Sequence, residues 1–232
     1  MMCPVRRLSV ALTGLVTLAA LVMAASPAGG AEGTVAAGAT SASGSPSVRT
    51  VLGPGLVAGP GGIALDAADN LFVADTGHCR VLVVPARTGL LDGLHVRAGR
   101  AATLAGGACT GRGSIGHPSD VAVDGHGDLY IAEATAQRVQ EVRAGSHAAV
   151  TVAGTGTGGF NGDGLAATAS ELGQPTGVAV DAAGDVYIAD TANCRVRVLP
   201  AATTTLFGQP MTAGHLYTVA GTGVCGDRKS VV

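Results

Sequence analysis

The sequence predicts an all-β fold, a propeller built from four-stranded antiparallel blades. One observation is an internal repeat, because segments that start at Pro60, Pro118 and Pro175 align without a gap over 22 residues. Another is that apolar and polar residues alternate with a period of two in each unit, the pattern of half-buried strands. Each unit also contains four such short runs, separated by turn-forming residues. Units of four short strands are the blades of a propeller, and the chain contains about three of them.

The first 31 residues have the composition of a signal peptide. Residues 1–7 include two arginines, and residues 8–25 contain no charged side chain. Small residues stand before two candidate cleavage points, after Ala28 and after Ala31. We therefore expect residues 1–31 to be removed on secretion. A retained membrane anchor is the alternative, because the 18-residue apolar run is just long enough to span a bilayer.

The rest of the chain divides into a leader, a repeat region and a short tail. Residues 32–48 are mainly Gly, Ala, Ser and Thr, which bury too little apolar surface to fold. The repeat region covers residues 49–226. Residues 227–232 contain the only lysine of the chain and read like the translation of a sequencing adapter, so we expect this tail to be non-native. The repeat cores are residues 60–84, 118–142 and 175–199.

Each unit begins with a predicted β-hairpin. In the third unit Val178 and Val180 belong to the first strand, and Val186 and Ile188 belong to the second. An Asp-x-x-Gly-Asp turn lies between them. A third run begins at a repeated arginine, and a fourth ends in Ala-Gly. The proline that opens each unit is tolerated because no ladder donor is needed at the start of the first strand.

Three polar positions recur in every unit, and we interpret all three as structural. An acid at the start of the hairpin turn offers a short acceptor to the turn amides, and a second acid stands five residues before the repeated arginine. The alternative is an acidic ring around the central channel that binds a cation. Repetition argues against catalysis, because an active site needs one asymmetric constellation. The residues are Asp66, Asp124 and Asp181; Asp75, Glu133 and Asp190; and Arg80, Arg138 and Arg195.

Four cysteines of the repeat region are predicted to form two disulfides. Cys79 and Cys194 occupy the same repeat position, and Cys109 and Cys225 follow them by 30 and 31 residues respectively. The second unit lacks both members of such a pair, with Gln137 at the first position. Joint presence and joint absence predict the bridges Cys79–Cys109 and Cys194–Cys225, which a secreted location favours. A metal site would need ligands clustered as in CxxC.

The third unit and the segment before it carry a specific motif. It reads P-x-G-[IV]-A-[LV]-D-x-x-G-[DN]-[LV]-Y-[IV]-A-D-T-x-N-x-R-[IV], preceded by T-V-A-G-T-G-x-x-G-F-N-G-D-G. This motif resembles the NHL-repeat β-propeller family, including the teneurin-like NHL group and secreted bacterial members, over residues 49–226. The second unit departs from it at Glu133, Ala134 and Gln137. The resemblance implies a ring of about six blades, so we expect the chain to be a fragment; the alternative is that two half-rings associate into a full ring.

Composition and motifs exclude several function classes. Fourteen basic and 16 acidic residues give a net charge of -2, which provides no basic stripe for nucleic acid. The six histidines are scattered, and the chain contains no G-x-S-x-G or H-E-x-x-H motif. The segment GFNGDG at residues 159–164 resembles a calcium loop, but the ligand pattern fails at Leu165. We therefore expect no catalytic, cofactor-binding or metal-binding residue.

The family resemblance implies a binding function. NHL propellers hold proteins, glycans or RNA on their loop-rich faces, and a minority of related propellers are metal-dependent lactonases or lyases. We expect a secreted, non-catalytic scaffold for an extracellular protein or glycan, with membrane contact only if the signal segment is retained. The alternatives are a lactonase-like hydrolase or lyase completed by further blades, and a sensor or adhesion module of a larger protein. The candidate binding loops are the non-repeated residues 87–100, 107–117 and 155–171.

Overall fold

The computed structural model describes residues 50–53, 55–109 and 114–226. The predicted signal peptide, the leader and the tail at residues 227–232 lie outside the described residues. Within the described ranges, strands alternate with turns, and the helical segments are three 3-10 helices of three residues each. No helix in this part of the chain is long and apolar enough to cross a membrane.

Three antiparallel sheets correspond to the three sequence units, which confirms the predicted blades. In each sheet the first strand pairs with the second, the second with the third and the third with the fourth. Blade 1 consists of β1 (Ile63–Leu65), β2 (Leu71–Asp75), β3 (Arg80–Val84) and β6 (Ala102–Gly106). Blade 2 consists of β7 (Asp120–Val123), β8 (Leu129–Glu133), β9 (Arg138–Val142) and β10 (Ala149–Ala153). Blade 3 consists of β12 (Pro175–Val180), β13 (Val186–Asp190), β14 (Arg195–Leu199) and β17 (His215–Ala220).

The remaining strands lie between the blade strands in sequence. Blades 1 and 3 each carry a small hairpin between their third and fourth strands, whereas blade 2 has a short turn there. One further strand pairs with the outer edge of blade 3, next to β17. The two hairpins are β4 (Gly89–Leu91) with β5 (Leu94–Val96), and β15 (Thr204–Leu206) with β16 (Gln209–Met211); the edge strand is β11 (Leu165–Ala166).

The hydrophobic core consists of two layers, one between each pair of neighbouring blades. Phe72 and Val81 of blade 1 pack in the first layer together with Ile131 of blade 2. Tyr130 of blade 2 packs in the second layer with Ile188 of blade 3. Alternation along a strand therefore sends successive side chains into different layers, because they point to opposite faces of the sheet. The first strands β1, β7 and β12 also contact one another in sequence, so the blades converge at these strands.

Connections leave the blades at two faces. The turn between the first and second strands and the β4–β5 and β15–β16 hairpins lie at one face, which we call the hairpin face. The turn between the second and third strands and the links between blades lie at the opposite face, the disulfide face. Residues 87–100 therefore belong to the hairpin face, whereas the described residues 107–109 and 114–117, and the link that begins at residue 155, leave their blades at the disulfide face.

The acid at the start of each hairpin turn stabilises the turn from inside. Asp66 Oδ1 accepts the amides of Ala68 and Asn70 at 2.8 and 2.9 Å. Asp124 and Asp181 make the same pair of bonds in their blades. One carboxylate oxygen thus accepts two backbone amides, which is the Asx-type turn that a short side-chain acceptor permits.

A second turn position, which the sequence interpretation missed, joins the hairpin turn to the third strand. Asn70 Oδ1 accepts the amide of Ala86, just beyond β3, at 2.9 Å. Asn and Asp can both supply this acceptor, so the position is variable in type but constant in role. The other two bonds are Ala144 to Asp128 and Ala201 to Asp185, both 2.8 Å.

Candidate functional site

The acids at the ends of the second strands lie at the disulfide face and are completely buried. One oxygen of Asp75 accepts the amide of Ala58 at 2.7 Å, and one oxygen of Asp190 accepts the amide of Gly173 at 2.6 Å. Glu133 accepts the amide of Gly116 in the same way. Each amide belongs to the residue two positions before the repeated proline, so the acid latches the incoming chain to its blade.

The second oxygen of each acid receives a side-chain donor, but the donor changes between blades. Arg80 Nε donates to Asp75 at 2.7 Å, and Arg138 donates to Glu133. In blade 3 the hydrogen bond to Asp190 comes from Asn193 at 2.8 Å. Arg195 instead donates to the Gly221 carbonyl at 3.4 Å. The repeated arginine is therefore a latch partner in two blades only.

The position two residues before the repeated arginine provides a further donor to the acid in blades 1 and 3. His78 stands where blade 3 has Asn193, and its Nδ1 lies 2.9 Å from Asp75 Oδ2. Burial raises the pKa of Asp75 more than any other single cause, but bonds from Ala58, Arg80 and His78 together hold it below its ordinary value. In all three blades, hydrogen bonds of this kind occupy both oxygens of the acid.

The other two latch acids have the opposite pKa shift. Burial raises the pKa of Glu133, and the bonds from Arg138 and Gly116 oppose it only in part. Burial likewise raises the pKa of Asp190 against the bonds from Asn193 and Gly173. Ionisation of these two acids is therefore less favourable in the folded protein than in the unfolded chain.

These opposite shifts predict opposite pH dependence for two substitutions. The contribution of Asp75 is present above its unfolded pKa and is lost as pH falls through the lower folded value. Asp75→Asn should therefore lower the free energy of unfolding by about 2 kcal/mol near neutral pH and by less in acid. The contribution of Glu133 is full below its unfolded pKa and declines as pH rises, so Glu133→Gln should cost more in acid than at neutral pH. Urea denaturation of both variants beside the wild type, at about pH 3 and pH 7, measures the two trends, and parallel trends would contradict the assignment.

The insertion at residues 155–171 forms the outer edge of blade 3. Its strand β11 pairs with β17, Leu165 opposite Leu216. Asp163 Oδ1 accepts the amide and the hydroxyl of Thr218, both at 2.9 Å. The sequence predicted a turn-rich segment here, and the structure adds that the segment contains a two-residue fifth strand, β11, and an anchoring acid, Asp163.

A buried arginine fixes this insertion to the blade. Arg197 is 0% exposed and donates to the carbonyls of Glu171 and Gly162, at 3.0 and 2.8 Å, and to Asp163 at 3.2 Å. The centroid of the Phe160 ring lies 4.1 Å from the guanidinium carbon of Arg195 and 5.1 Å from the guanidinium carbon of Arg197. We call this group the Arg197 clamp. In this clamp Arg197 and Thr218 donate hydrogen bonds to Asp163, which is the only carboxylate of the GFNGDG segment.

Two cysteine bridges fasten the same face. The structure brings together the partners that the spacing predicts, with Cα–Cα distances of 5.0 Å for Cys79–Cys109 and 5.3 Å for Cys194–Cys225. Cys79 and Cys194 both have left-handed backbones, with φ of 53° and 50°, and Gln137 matches them at 52°. The bridge position thus has one backbone shape in all three blades. Each bridge ties the start of a third strand to the link that follows the fourth.

Asp120 is a polar residue at the convergence of the blades that the sequence analysis overlooked. It replaces the glycine of the P-x-G motif that Gly62 and Gly177 retain. Its two oxygens accept the Val121 amide at 2.9 Å and the Val178 amide at 3.0 Å, which joins blade 2 to blade 3. Burial raises its pKa against these two bonds. The sequence did carry a signal for a special role of Asp120, because this position departs from the glycine of the P-x-G motif.

Hydroxyl groups beside Asp120 link each blade to the next. Thr76 donates to the Pro118 carbonyl at 2.7 Å, and Ser119 donates to the Pro175 carbonyl at 3.0 Å. The acceptors are the prolines that open the following units. Each of the first two blades therefore donates a hydrogen bond to the start of the blade that follows it.

A groove opens at the hairpin face between blades 1 and 2. Its volume is about 470 Å³, and its lining includes Leu65, Leu91 and Val123 together with Asp92 and His126. The β4–β5 hairpin overhangs it, because Asp92 Oδ1 accepts the Gly145 amide of blade 2 at 3.1 Å. The lining also includes Asp66, Asn70 and Asp124, so this open groove, with its mixed polar and apolar lining, is a second candidate for binding.

Comparison with known proteins supports this architecture. The family model of the NHL repeat matches residues 58–84 and 172–199, in the first and third units. A structural genomics protein from Bacteroides thetaiotaomicron VPI-5482 is similar with 20% identity and a TM-score of 0.51, over 70% of this chain and 36% of that chain. A nidogen/laminin complex has 14% identity and a TM-score of 0.45, over 70% of this chain and 48% of the other. A streptogramin B lyase has 14% identity and a TM-score of 0.43, over 69% of this chain and 40% of that chain.

These solved structures are longer than the present chain, which spans about a third to a half of each. No curated protein matches the chain. The repeat matches and the first structural similarity support an NHL-type β-propeller fold.

Proposed function

We propose that this NHL-type propeller is a secreted, non-catalytic scaffold that binds an extracellular protein or glycan through its disulfide face. The observation that carries the proposal is that links of this face are tied to their blades. The Cys79–Cys109 bridge ties Cys109 to the start of β3, and the Arg197 clamp ties residues 155–171 to β14. A loop that is anchored before binding loses less conformational entropy on binding, which favours its use in recognition.

Secretion is supported by two features of different kinds. The first 31 residues have the sequence of a signal peptide. The two cysteine pairs lie at disulfide distance, and disulfides persist in oxidising compartments outside the cytosol. Membership of the teneurin-like group and of secreted bacterial NHL proteins is part of the same proposal, as is a role as sensor or adhesion module of a larger protein.

A lyase or lactonase function is the competing proposal. It requires carboxylates or histidines that converge on the propeller axis and bind a metal. Asp120 is the half-buried carboxylate of the described inner rim, and its oxygens are hydrogen-bonded to Val121 and Val178. The enzyme proposal therefore depends on further blades to complete a site.

Binding should be sensitive to substitutions at the disulfide face alone. Thr135 and Thr157 are exposed there and lie in the second-to-third turn of blade 2 and in the insertion. The variant Thr135→Arg/Thr157→Arg should weaken binding at least about tenfold, because two bulky charges obstruct the surface. The matched control is Thr204→Arg/Thr205→Arg, which adds the same charge to the exposed β15 strand at the hairpin face. The measurement is a screen of extracellular proteins and glycans, followed by titration of each hit.

Assays for lactonase and lyase turnover, with and without divalent metal, accompany the screen. Metal-dependent turnover that Asp120→Asn abolishes would contradict the scaffold proposal. Equal loss of binding in both arginine variants would place the site elsewhere, since only one of them alters the disulfide face.

A further inference from the structure

A histidine lies beside the disulfide of blade 1. His117 Nδ1 is 3.9 Å from Cys79 Sγ, although the two residues are 38 positions apart in the sequence. Cys79, Cys109 and His117 each offer one ligand atom, and these three atoms lie within 4.8 Å of one another. Cys79 is buried, whereas Cys109 and His117 are exposed at the disulfide face. The tertiary structure thus assembles a group of metal-binding residue types that no CxxC-like spacing indicates.

The distances in this group suit a tetrahedral zinc ion. Zn–S bonds of about 2.3 Å and Zn–N bonds of about 2.0 Å place neighbouring ligand atoms about 3.5 to 3.8 Å apart. The observed distance between Cys79 Sγ and His117 Nδ1 is close to this range. The two sulfur atoms can reach the same spacing once their bond is cut, because rotation of the exposed Cys109 side chain separates them while the Cα atoms stay 5.0 Å apart.

Hydrogen bonds other than the disulfide hold the two cysteines together. The Gly107 amide donates to the Cys79 carbonyl at 2.9 Å, two residues before Cys109. The Cys79 amide in turn donates to the Thr76 carbonyl at 3.2 Å. The start of the link therefore remains attached to blade 1 when the bridge is open.

The backbone of His117 is anchored on both sides. Its predecessor Gly116 donates its amide to the buried Glu133. The carbonyl of its successor Pro118 accepts the Thr76 hydroxyl at 2.7 Å. The imidazole is therefore presented to the bridge by a backbone that is fixed to blades 1 and 2, and a ligand fixed in advance loses little conformational entropy when a metal binds.

The next junction between blades shows that this placement is a feature of the repeat. Gln174 precedes the repeated proline of blade 3 as His117 does in blade 2, and both have left-handed backbones, with φ of 47° and 41°. The Gln174 amide donates to Oε1 of Gln137, which occupies the position of Cys79, at 2.6 Å. The residue before the proline therefore faces the bridge position of the preceding blade in both junctions. In the first junction these two positions are an imidazole and a thiol.

We propose that Cys79, Cys109 and His117 form a Zn²⁺ site when the bridge of blade 1 is reduced. Two thiolates and a neutral imidazole are ligands that zinc prefers, and a water molecule completes the tetrahedron. The disulfide and the zinc site are alternative states of the same residues, because zinc binds thiolates and not a disulfide. This inference is independent of the proposed binding function.

Reduction of the bridge requires two equivalents of a thiol. The first thiolate attacks the exposed Cys109 sulfur, forms a mixed disulfide with it and releases Cys79 as a thiolate. The second thiolate attacks the reductant sulfur of the mixed disulfide, releases Cys109 as a thiolate and leaves as the oxidised reductant. Two electrons have then passed from the two thiols to the bridge. Their two protons go to solvent when Zn²⁺ binds both cysteine thiolates.

Titration of the reduced secreted chain with Co²⁺ tests the proposal, with a chain made without a histidine tag. A phosphine reductant opens the bridges without adding a thiol ligand. One Co²⁺ ion per chain should bind with a thiolate-to-cobalt charge-transfer band and the visible bands of tetrahedral cobalt, and Zn²⁺ should displace it. The oxidised chain should show none of these bands.

Two histidine variants test the third ligand. His117→Gln introduces the residue type that the next junction has at this position, so the backbone tolerates it. It should weaken Co²⁺ binding at least about tenfold, since even groups behind a metal ligand contribute about 10- to 100-fold. The matched control His126→Gln makes the same change at an exposed histidine of the hairpin face and should bind Co²⁺ like the wild type.

Two cysteine variants identify the thiolates. Cys194→Ser/Cys225→Ser should retain the cobalt bands, and Cys79→Ser/Cys109→Ser should lose them. The second variant keeps a cysteine pair of similar spacing, for which the described part of the chain offers no third ligand of this kind.

Urea denaturation provides a second measurement on the same samples. Zn²⁺ should raise the denaturation midpoint of the reduced wild type, because a ligand that binds the folded chain stabilises it. It should leave the midpoint of reduced His117→Gln nearly unchanged. Absence of the cobalt bands, equal affinity in His117→Gln and wild type, or a reduced wild type that circular dichroism shows to be unfolded with and without Zn²⁺ would each overturn the proposal.

Discussion

Asp163→Ala is expected to lower the free energy of unfolding by about 1 to 3 kcal/mol, because it removes one acceptor of the buried Arg197, which keeps Asp190 at 3.9 Å and two backbone carbonyls. The substitution also removes the acceptor of the Thr218 amide and hydroxyl. Two anchors of β11 at the edge of blade 3 are therefore lost together. Urea denaturation followed by circular dichroism measures the effect.

A second variant separates the buried charge from the loss of packing. Asp163→Ala/Arg197→Leu removes the charge along with its acid and introduces the residue that blade 1 has at this position, Leu82. It should recover part of the stability, because an apolar side chain can replace a buried ion pair. Asp69→Asn is the control, because it removes a charge at an exposed turn position whose φ of 65° Asn tolerates; it should stay within about 0.5 kcal/mol of the wild type. A double variant no more stable than Asp163→Ala would show that Arg197 is not the cause.

Removal of either disulfide should cost about 3 to 4 kcal/mol in the chain-entropy model, since the closed loops span 30 and 31 residues. The variants are Cys79→Ser/Cys109→Ser and Cys194→Ser/Cys225→Ser. Peptide mapping of the oxidised protein should recover the two linked pairs. Reductant should lower the free energy of unfolding of the wild type to that of a variant that lacks all four of these cysteines. It should leave the stability of that variant unchanged.

The bridge prediction has a clear contrary result. Free thiols in the oxidised protein, or a peptide that joins Cys79 to Cys194, would contradict the pairing. Blade 2 provides an internal comparison, because Gln137 has the cysteine position and the left-handed backbone without a bridge.

The blades could be predicted because their determinants repeat. Strand alternation, turn composition and the proline at the start of each unit occur three times at the same offsets. The predicted third strands begin at Arg80, Arg138 and Arg195, as they do in the structure. Asp66 and its equivalents also act within a few residues of their own position. Local hydrogen bonds of this kind are determined by sequence neighbours.

The side-chain donors to Asp75, Glu133 and Asp190 could not be predicted from local repetition. Repetition suggested one role for Arg80, Arg138 and Arg195, but in blade 3 the donor to Asp190 is Asn193. The cause is tertiary, because the insertion places Phe160 against the Arg195 guanidinium. No sequence spacing indicates which arginine an inserted loop will cover.

By itself the sequence determined the repeat, the all-β blades, the hairpin turns and the cysteine partners. All of these depend on periodicity or on matched presence and absence within a unit. Only the tertiary structure decided that Arg197 is buried under an insertion, that Asp120 joins two blades, and that residues 87–100 lie opposite the other insertions. These features depend on contacts between segments 26 to 58 residues apart. Such contacts form only when strands from different parts of the chain have packed, and packing then determines which polar groups lose water and need a partner.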